Sequence, residues 1–467
     1  MLKILTLFLG LATSLFSDGF AEFSKGNFQK ATKLYEKECN EVSPKSCFAL
    51  GLMYDVGKDI KQNYLKAAEF YEKACYMGHD DACFYFGSMN NNAQGIKQDY
   101  QKVAEFYEKA CTMGNAKGCF SLGVMYNKGE GVKKDEFEAK ELFEQSCDAG
   151  LAEACTHLGL MYIHGKGVKQ NYLKAVELHK RECDIGHLIG CSHLGQLYSE
   201  GKGVEQDFVK ASELYKKACE GGAFDGCYYL GMAYASGNGV EKDTHKASEL
   251  LRQVCNKGNI EACYTLGVMY EEAKGFKIES FRTQEYIKAI EAYKKACEGG
   301  KFEACYNQAM MYADGKGVEQ NDVKALEFSQ KACEGNLFKS CFYLGNLYAK
   351  GDAVKQDFFE AAKFYEKACE GGEAIACSHL GLMYAKGEGV EKNDNKAVEL
   401  YKKACVGGEA MGYFYLGGMY ANGYGVKKNK TRAKEYYKRA CDGQIEKGCE
   451  AFEKLIDKSD PTMIKQS

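Results

Sequence analysis

The sequence contains no tryptophan and only two prolines in 467 residues, and it has no apolar run of 18 residues after its first 17. A bilayer-spanning helix needs about 20 apolar residues, so we expect no membrane span. The formal net charge is −3, so no excess of positive charge favours nucleic acid as a partner. The scarcity of tryptophan and proline, together with 52 glycines and 33 tyrosines, indicates that one building block is copied many times.

Cysteine, by contrast, is abundant, with 23 residues. Cytosolic thiols are kept reduced, so this number favours an oxidising compartment. Residues 1–17 combine Lys3, an apolar run from Ile4 to Leu11 and small residues, which is typical of a secretory signal peptide. We therefore expect an exported protein, periplasmic or secreted; a buried N-terminal helix is the alternative.

The cysteines reveal an internal repeat. They form pairs eight residues apart, and successive pairs recur every 36 residues, except that Cys255 and Cys297 are 42 residues apart. Six residues are therefore inserted within 271–286, where we expect disturbed stacking or a protruding loop. The pairs are Cys39 and Cys47, Cys75 and Cys83, Cys111 and Cys119, Cys147 and Cys155, Cys183 and Cys191, Cys219 and Cys227, Cys255 and Cys263, Cys297 and Cys305, Cys333 and Cys341, Cys369 and Cys377, and Cys441 and Cys449.

Each repeat predicts two helices and two turns. An Asp or Asn in eleven of twelve units precedes the pattern K-A-x-x-x-Y-x-K-A-C, as a helix N-cap would. Three residues after the first cysteine stands Gly in nine units and Asn336 in another, which suits a left-handed turn. A second helix carries C-x-x-L-G-x-x-Y and ends at G-x-G-V. That G-x-G follows no strand, so we interpret it as a turn and not as a phosphate loop.

A hairpin of 36 residues cannot bury its apolar face alone, so the units must stack. The predicted fold is all-α, a right-handed α/α superhelical solenoid of about twelve disulfide-stapled hairpins over residues 18–456, followed by a polar tail at 457–467. The last unit departs from the pattern at Phe452 and Glu453, as an end cap should.

The paired cysteines end one helix and begin the next, so packing of the two helices brings them together. We expect eleven local disulfides, each closing a loop of nine residues and contributing about 2.5 kcal/mol in the chain-entropy account. A zinc site is the weaker alternative, because neither C-x2-C nor a fixed His spacing recurs. Cys405 is unpaired, since Tyr413 stands eight residues on. We expect it to be buried and inert; intermolecular pairing is the alternative.

These residues also carry a family resemblance. The pattern A-C-x-x-L-G-x-M-Y-x-x-G-x-G-V-x-x-D-x-x-K-A-x-x-x-Y-x-K-A-C resembles the Sel-1-like repeat, and the cysteine spacing resembles that of the Helicobacter cysteine-rich protein family. The resemblance implies a tetratricopeptide-like, periplasmic or secreted bacterial protein. It also implies that the repeats mediate protein interactions, although some family members are labelled penicillin-binding proteins or slow β-lactamases.

The residues do not favour an enzyme. S-D-N and K-T-G elements are absent, and the one S-x-x-K match, Ser199 to Lys202, falls in a G-K-G turn. His157, His193 and His379 share one repeat position, two residues after the second cysteine. Because other residue types replace them elsewhere, we interpret these histidines as surface or groove residues and not as metal ligands. We predict no catalytic residue, no metal and no cofactor.

Protein or peptide binding is therefore the predicted function, through a groove on the concave side of a monomeric solenoid. Tyrosine is the residue type most typical of such contacts. Two alternatives remain. One is a β-lactam hydrolase, with a β-lactam or peptidoglycan-related small molecule as its ligand; the other is a structural component of the cell envelope.

Overall fold

The computed structural model describes residues 18–57, 60–94, 97–272, 279–351 and 354–456. The expected signal peptide at 1–17 and tail at 457–467 lie outside these residues. The described residues form 25 α-helices and no strand, which confirms the predicted helical solenoid. They divide into two compact units, Met1–Thr244 and His245–Ser467.

The first unit begins with a short helix, which is followed by hairpin helices of near-uniform length. Its helices are α1 (Asp18–Ser24), α2 (Phe28–Asn40), α3 (Pro44–Val56), α4 (Tyr64–Tyr76), α5 (Asp80–Asn91), α6 (Tyr100–Thr112), α7 (Ala116–Lys128), α8 (Glu136–Asp148), α9 (Ala152–His164), α10 (Tyr172–Asp184), α11 (Leu188–Glu200), α12 (Phe208–Glu220) and α13 (Phe224–Ser236). Within this unit, each helix from α1 to α12 packs against the next.

The second unit repeats the arrangement. Its helices are α14 (Thr244–Asn256), α15 (Ile260–Glu271), α16 (Glu279–Glu298), α17 (Phe302–Asp314), α18 (Asp322–Glu334), α19 (Phe338–Lys350), α20 (Phe358–Glu370), α21 (Ala374–Lys386), α22 (Asp394–Val406), α23 (Ala410–Asn422), α24 (Lys430–Asp442) and α25 (Glu446–Leu455). From α2 onward, the described helices pair into twelve hairpins, the number expected from the repeat. Hereafter the first helix of a hairpin is helix A and the second is helix B.

Side-chain caps start most of the A helices, as predicted. The side chains of Asn63, Asp99, Asp135, Asn171, Asp207, Asn321, Asp357, Asn393 and Asn429 each accept a hydrogen bond from a backbone N–H of the first turn. For Asn27 the prediction is wrong, because its side chain makes no capping bond. Its amide instead donates to the Glu22 carboxylate at 2.8 Å, which ties α2 to α1.

The turns within hairpins have the expected left-handed residue. Gly78 has a φ of 87° and Asn336 a φ of 65° three residues after the first cysteine. Val42 and Gln444 adopt positive φ at the same position in the first and last hairpins, which their residue types did not suggest. In the turn between hairpins, a Cβ on Gly131 would lie 2.2 Å from the Tyr100 carbonyl oxygen. This glycine therefore allows consecutive hairpins to pack closely.

Disulfides close all hairpins but one. The eleven expected cysteine pairs are bonded, with Cα–Cα distances of 4.4–4.8 Å. Cys405 is free and buried, and the Tyr413 hydroxyl donates to the Cys405 carbonyl oxygen at 2.8 Å across the same turn.

The insertion lengthens one helix. Residues 273–278 lie outside the described part of the chain, and α16 then begins at Glu279 and runs for 20 residues, compared with 13 in most other hairpin helices. Glu285, the exception among the expected N-caps, consequently lies inside this helix. None of the helices formed by the described residues is long and apolar enough to cross a bilayer.

Candidate binding surface

One packing contact recurs between hairpins. The recurrent tyrosine of helix A lies against the recurrent glycine of the preceding helix B; Tyr401, with only 1% of its surface exposed, faces Gly381. A Cβ on that glycine would lie 2.7 Å from Cε1 of the ring, so glycine is required for this approach. At one contact between consecutive hairpins both residues differ, with Ala309 at the glycine position and the buried Ser329 at the tyrosine position. At this contact the methyl group of Ala309 is thus present where the ring is absent.

The two residues after the second cysteine surround this ring. The second of them stacks on the ring of its own hairpin, as Tyr229 does on Tyr215 and Tyr415 on Tyr401, each with centroids 5.2 Å apart. The first contacts the ring of the following hairpin, as Phe414 does with Tyr437 at 5.9 Å. These positions therefore lie over the buried contact between the ring and the glycine.

We call the aromatic residues and histidines at these two positions the ring face. Its members are buried to half-buried except for His379, which is exposed. In the first unit they are Phe48, Phe84, Tyr85, Phe120, His157, His193, Tyr228 and Tyr229. In the second unit they are Tyr264, Tyr306, Phe342, Tyr343, His379, Phe414 and Tyr415.

Ring contacts also link consecutive hairpins within each unit. Phe48 lies 5.6 Å from Tyr85, and Phe120 lies 5.0 Å from His157, measured between centroids. In the second unit Tyr306 meets Tyr343 edge-on at 6.5 Å. Each unit thus presents a row of neighbouring rings on its B helices.

The three histidines proposed from the sequence all belong to this row, but in different surroundings. The half-buried His157 ring packs on Phe143 at 5.3 Å, and its Nδ1 lies 2.9 Å from the Glu153 carbonyl oxygen. The exposed His379 has the equivalent contacts with Tyr365 and the Ile375 carbonyl oxygen. His193 differs, because its neighbour is a second histidine, His179, at 4.9 Å.

Lysines border the ring face. The ammonium group of Lys339 stands 4.4 Å from the Tyr306 ring centroid, and that of Lys301 stands 5.3 Å from Tyr264. Burial raises the pKa of Tyr229 to about 12, so its hydroxyl stays protonated at neutral pH. The surface therefore combines apolar ring faces with hydroxyl groups, as protein interfaces commonly do, and lysines stand at its edge.

A group of polar residues lies beneath the ring face around Glu182. Glu182 and His179 are fully buried, and Nδ1 of His179 lies 2.8 Å from Oε2 of Glu182. The Thr156 hydroxyl donates to Oε1 of the same carboxylate, and Nδ1 of His187 lies 3.7 Å from it. With His193 these residues form what we call the Glu182 cluster. Burial lowers the pKa of His193 to about 4.

Sequence reasoning did not identify His179, Glu182, His187 or Thr156. A signal was nevertheless present, because each occupies a repeat position where most other hairpins carry a different residue. His179 stands at the tyrosine position, and Glu182 stands where most hairpins have alanine. Several departures in one hairpin indicate that the residues replace one another's contacts.

The residues considered for enzymatic chemistry are not brought together. Nζ of Lys202 lies 2.6 Å from the Glu200 carboxylate, while Ser199 accepts a bond from Gln206 through its backbone carbonyl. Within the ranges that the structure describes, no three His, Cys, Asp or Glu side chains are grouped to hold a metal ion.

Known proteins resemble the chain along most of its length. The Sel1 repeat profile matches eleven segments: 44–79, 80–115, 116–151, 152–187, 189–222, 224–259, 260–301, 302–337, 339–373, 374–408 and 410–444. No curated protein sequence is significantly similar to the whole chain.

Among solved structures, c5321, a protective antigen of uropathogenic Escherichia coli, is 27% identical with a TM-score of 0.56, over 91% of this chain and 90% of that one. A Sel1 repeat protein from Oxalobacter formigenes is 23% identical with a TM-score of 0.54, over 69% and 94%. Helicobacter pylori cysteine-rich protein B is 31% identical, over 27% of this chain and 91% of its own, with a TM-score of 0.23. The eleven matched repeats place the chain in the Sel1 repeat family.

Proposed function

We propose that this chain is an exported protein that binds another protein, or an extended segment of one, through its ring face. The observation that carries the proposal is the row of neighbouring rings at the two residues after the second cysteine. Those positions vary from hairpin to hairpin, whereas the residues beneath them recur. A scaffold that holds variable side chains at fixed spacing is the usual design of repeat proteins that bind proteins.

The chemistry of the face supports an apolar or aromatic contact. Half-buried rings lose little conformational freedom when a partner covers them, because their packing already holds them in place. Tyr343 is an example, since it meets the Tyr306 ring edge-on, and the ammonium group of Lys339 stands over that same Tyr306 ring. A partner side chain inserted between two such rings would bury apolar area from both.

Export is the second part of the proposal. Eleven disulfides are consistent with folding in an oxidising environment outside the cytoplasm, because cytosolic thiols are kept reduced. The composition of residues 1–17 supports the route, and cleavage after the small residues near Ser17 would release the mature chain. We do not propose the β-lactam hydrolase, because Lys202 pairs with Glu200 and not with Ser199.

A photo-crosslinking experiment tests the binding surface. A photoreactive residue is placed at position 343 on the ring face, or at position 323 on the same unit, where Val323 is 73% exposed on a different helix. We expect a partner to be captured from position 343 and not from position 323. The captured partner should then bind the Tyr306→Ala/Tyr343→Ala variant at least tenfold more weakly, the size of a typical interface hot spot.

The matched control is Val323→Ala, which removes exposed apolar surface outside the ring face and should leave the affinity unchanged. Equal loss in both variants, or capture from position 323 alone, would contradict the proposed surface. Far-ultraviolet circular dichroism and the number of free thiols establish that each variant is folded. N-terminal sequencing of the secreted or periplasmic chain tests the export prediction separately.

A further inference from the structure

The Glu182 cluster occupies a hairpin in which the usual core contact is absent. In most hairpins a tyrosine ring fills the space above the recurrent glycine, whereas at this point the His179 ring does so, and a Cβ on Gly159 would lie 2.6 Å from its Nε2. His179 has no exposed surface, and Nε2 has no hydrogen-bond partner among the described residues. No space for a ligand remains between this nitrogen and α9.

The hydrogen bonds around Glu182 determine which nitrogen can carry a proton. An ionised carboxylate only accepts hydrogen bonds, so Nδ1 of His179 donates to Oε2. Nε2 of His179 faces Gly159 instead and makes no hydrogen bond with the described residues. Glu182 is therefore the polar contact that holds this ring in place.

His193 is a place at which a proton could enter the cluster. Its Nδ1 is buried without a partner, and its ring meets that of His179 edge-on. The groups that face it are His179 and Glu182 on α10 and His187 in the turn before α11. On the neighbouring helices, Tyr215 of α12 packs on Gly195 and His157 of α9 packs on Phe143 instead.

We propose that the Glu182 cluster makes the hairpins of α9 to α11 open locally as the pH falls, so that acid weakens the ring face at His157 and His193. The consequence for the ring face rests on the proposed function, whereas the local opening does not. A charged His193 can be hydrated only if its ring leaves His179, and that movement uncovers the buried carboxylate of Glu182. The disulfides Cys147–Cys155 and Cys183–Cys191 keep the opening within these hairpins.

The pH window follows from the pKa of His193. Its folded-state pKa of about 4 lies below the unfolded value of 6.5. The neutral ring therefore contributes its full stability above pH 6.5, and this stability is lost as the pH falls towards 4. At pH 5, His193 is largely protonated in the open state and largely neutral in the closed state. This difference shifts the equilibrium towards the open state by up to about 30-fold.

Hydrogen exchange followed by mass spectrometry tests the proposal on the disulfide-intact full chain without any partner. Protection is measured at pH 7 and pH 5 and corrected for the intrinsic exchange rate, and peptides from α9–α11 are compared with peptides from α4–α7. We expect protection in α9–α11 to fall by 10- to 30-fold at pH 5 relative to α4–α7. Equal protection at the two pH values would overturn the proposal.

Two variants assign the effect to the cluster. His179→Tyr/Glu182→Ala/His193→Tyr installs the residues found at Tyr215, Ala218 and Tyr229, and we expect its protection to change by less than threefold with pH. His193→Phe keeps an aromatic ring and removes the titrating group, so it should reduce the fall even if the triple variant folds poorly.

His157→Tyr is the control, because it replaces a histidine at the same repeat position outside the cluster and should leave the fall unchanged. A fall that persists in His193→Phe would refute the role of His193. If acid opens α9–α11 but leaves the affinity of a captured partner unchanged, the local switch stands and the proposed binding surface at these hairpins fails.

Discussion

A methyl group added at Gly381 should destabilise the second unit, although alanine is the better helix former. In an exposed helix the change to alanine stabilises by about 1 kcal/mol. At Gly381 the new Cβ would lie 2.7 Å from Cε1, 2.9 Å from Cδ1 and 3.2 Å from Cζ of Tyr401. That ring is 1% exposed and stacks on Tyr415, so it cannot move away without disturbing a second ring.

The size of the effect follows from these opposing contributions. Overpacking of a core costs roughly 1–3 kcal/mol, and a contact as short as 2.7 Å indicates the upper part of that range, about 2–3 kcal/mol, from which the gain of about 1 kcal/mol in helix propensity is subtracted. We therefore expect Gly381→Ala to reduce local stability by about 1–2 kcal/mol, which corresponds to a 5- to 30-fold loss of exchange protection in α21 and α22. Tyr401→Ser alone should cost about 3–5 kcal/mol, because it removes a buried ring.

The double variant Gly381→Ala/Tyr401→Ser reproduces the pair that the chain already has at Ala309 and Ser329. In this background the added methyl group meets no ring, so the two changes should couple favourably by about 1–3 kcal/mol. Ala309→Gly is the matched control and should lose about 1 kcal/mol, because it removes helix propensity without relieving a clash. Unchanged or increased protection in Gly381→Ala would refute the argument that the glycine is required by the ring.

Three further predictions concern the unstapled hairpin and the caps. Burial raises the pKa of the Cys405 thiol to about 12, so at pH 8 iodoacetamide should label no thiol in the folded chain and one after denaturation; rapid native labelling would show that the thiol is accessible. Tyr413→Cys should create a twelfth disulfide, lower the denatured thiol count to zero and stabilise the hairpin by up to about 2.5 kcal/mol, less the contribution of the lost hydroxyl bond; two remaining thiols would contradict it. Asn393→Ala should cost about 1 kcal/mol of local stability in α22 and Asn393→Asp much less, because only the latter keeps the acceptor for the Lys396 N–H.

The hairpin architecture could be predicted from the sequence because one pattern of residues recurs along the chain. Twelve copies of one pattern show which positions recur, so helix ends, turns and cysteine pairs could be located by comparing the chain with itself. Gly78 and Asn336 illustrate this, since a position that holds glycine in nine hairpins and asparagine in another is expected to be left-handed. Physical chemistry then permits few alternatives for each position.

Other features could not be predicted because they occur once. The helix α1 has no second cysteine or G-x-G turn, yet Gly19 lies against Tyr35 as the recurrent glycines do against their rings. The extension of α16 to Glu279 depends on residues that have no counterpart in other hairpins. The side chain of Asn27 matched the capping pattern but was drawn to Glu22 by that same N-terminal helix.

The Glu182 cluster shows how the disulfide within each hairpin is connected with the variation of residues on the ring face. A buried carboxylate is tolerated only when hydrogen bonds replace its water, and removing one partner of such a group typically costs several kcal/mol. In a fold with one continuous core that cost would fall on the whole domain. In this fold the adjacent Cys183–Cys191 disulfide contributes about 2.5 kcal/mol to the hairpin that contains Glu182. Each hairpin can therefore accept its own substitutions, including polar ones, and the ring face can vary without loss of the repeat.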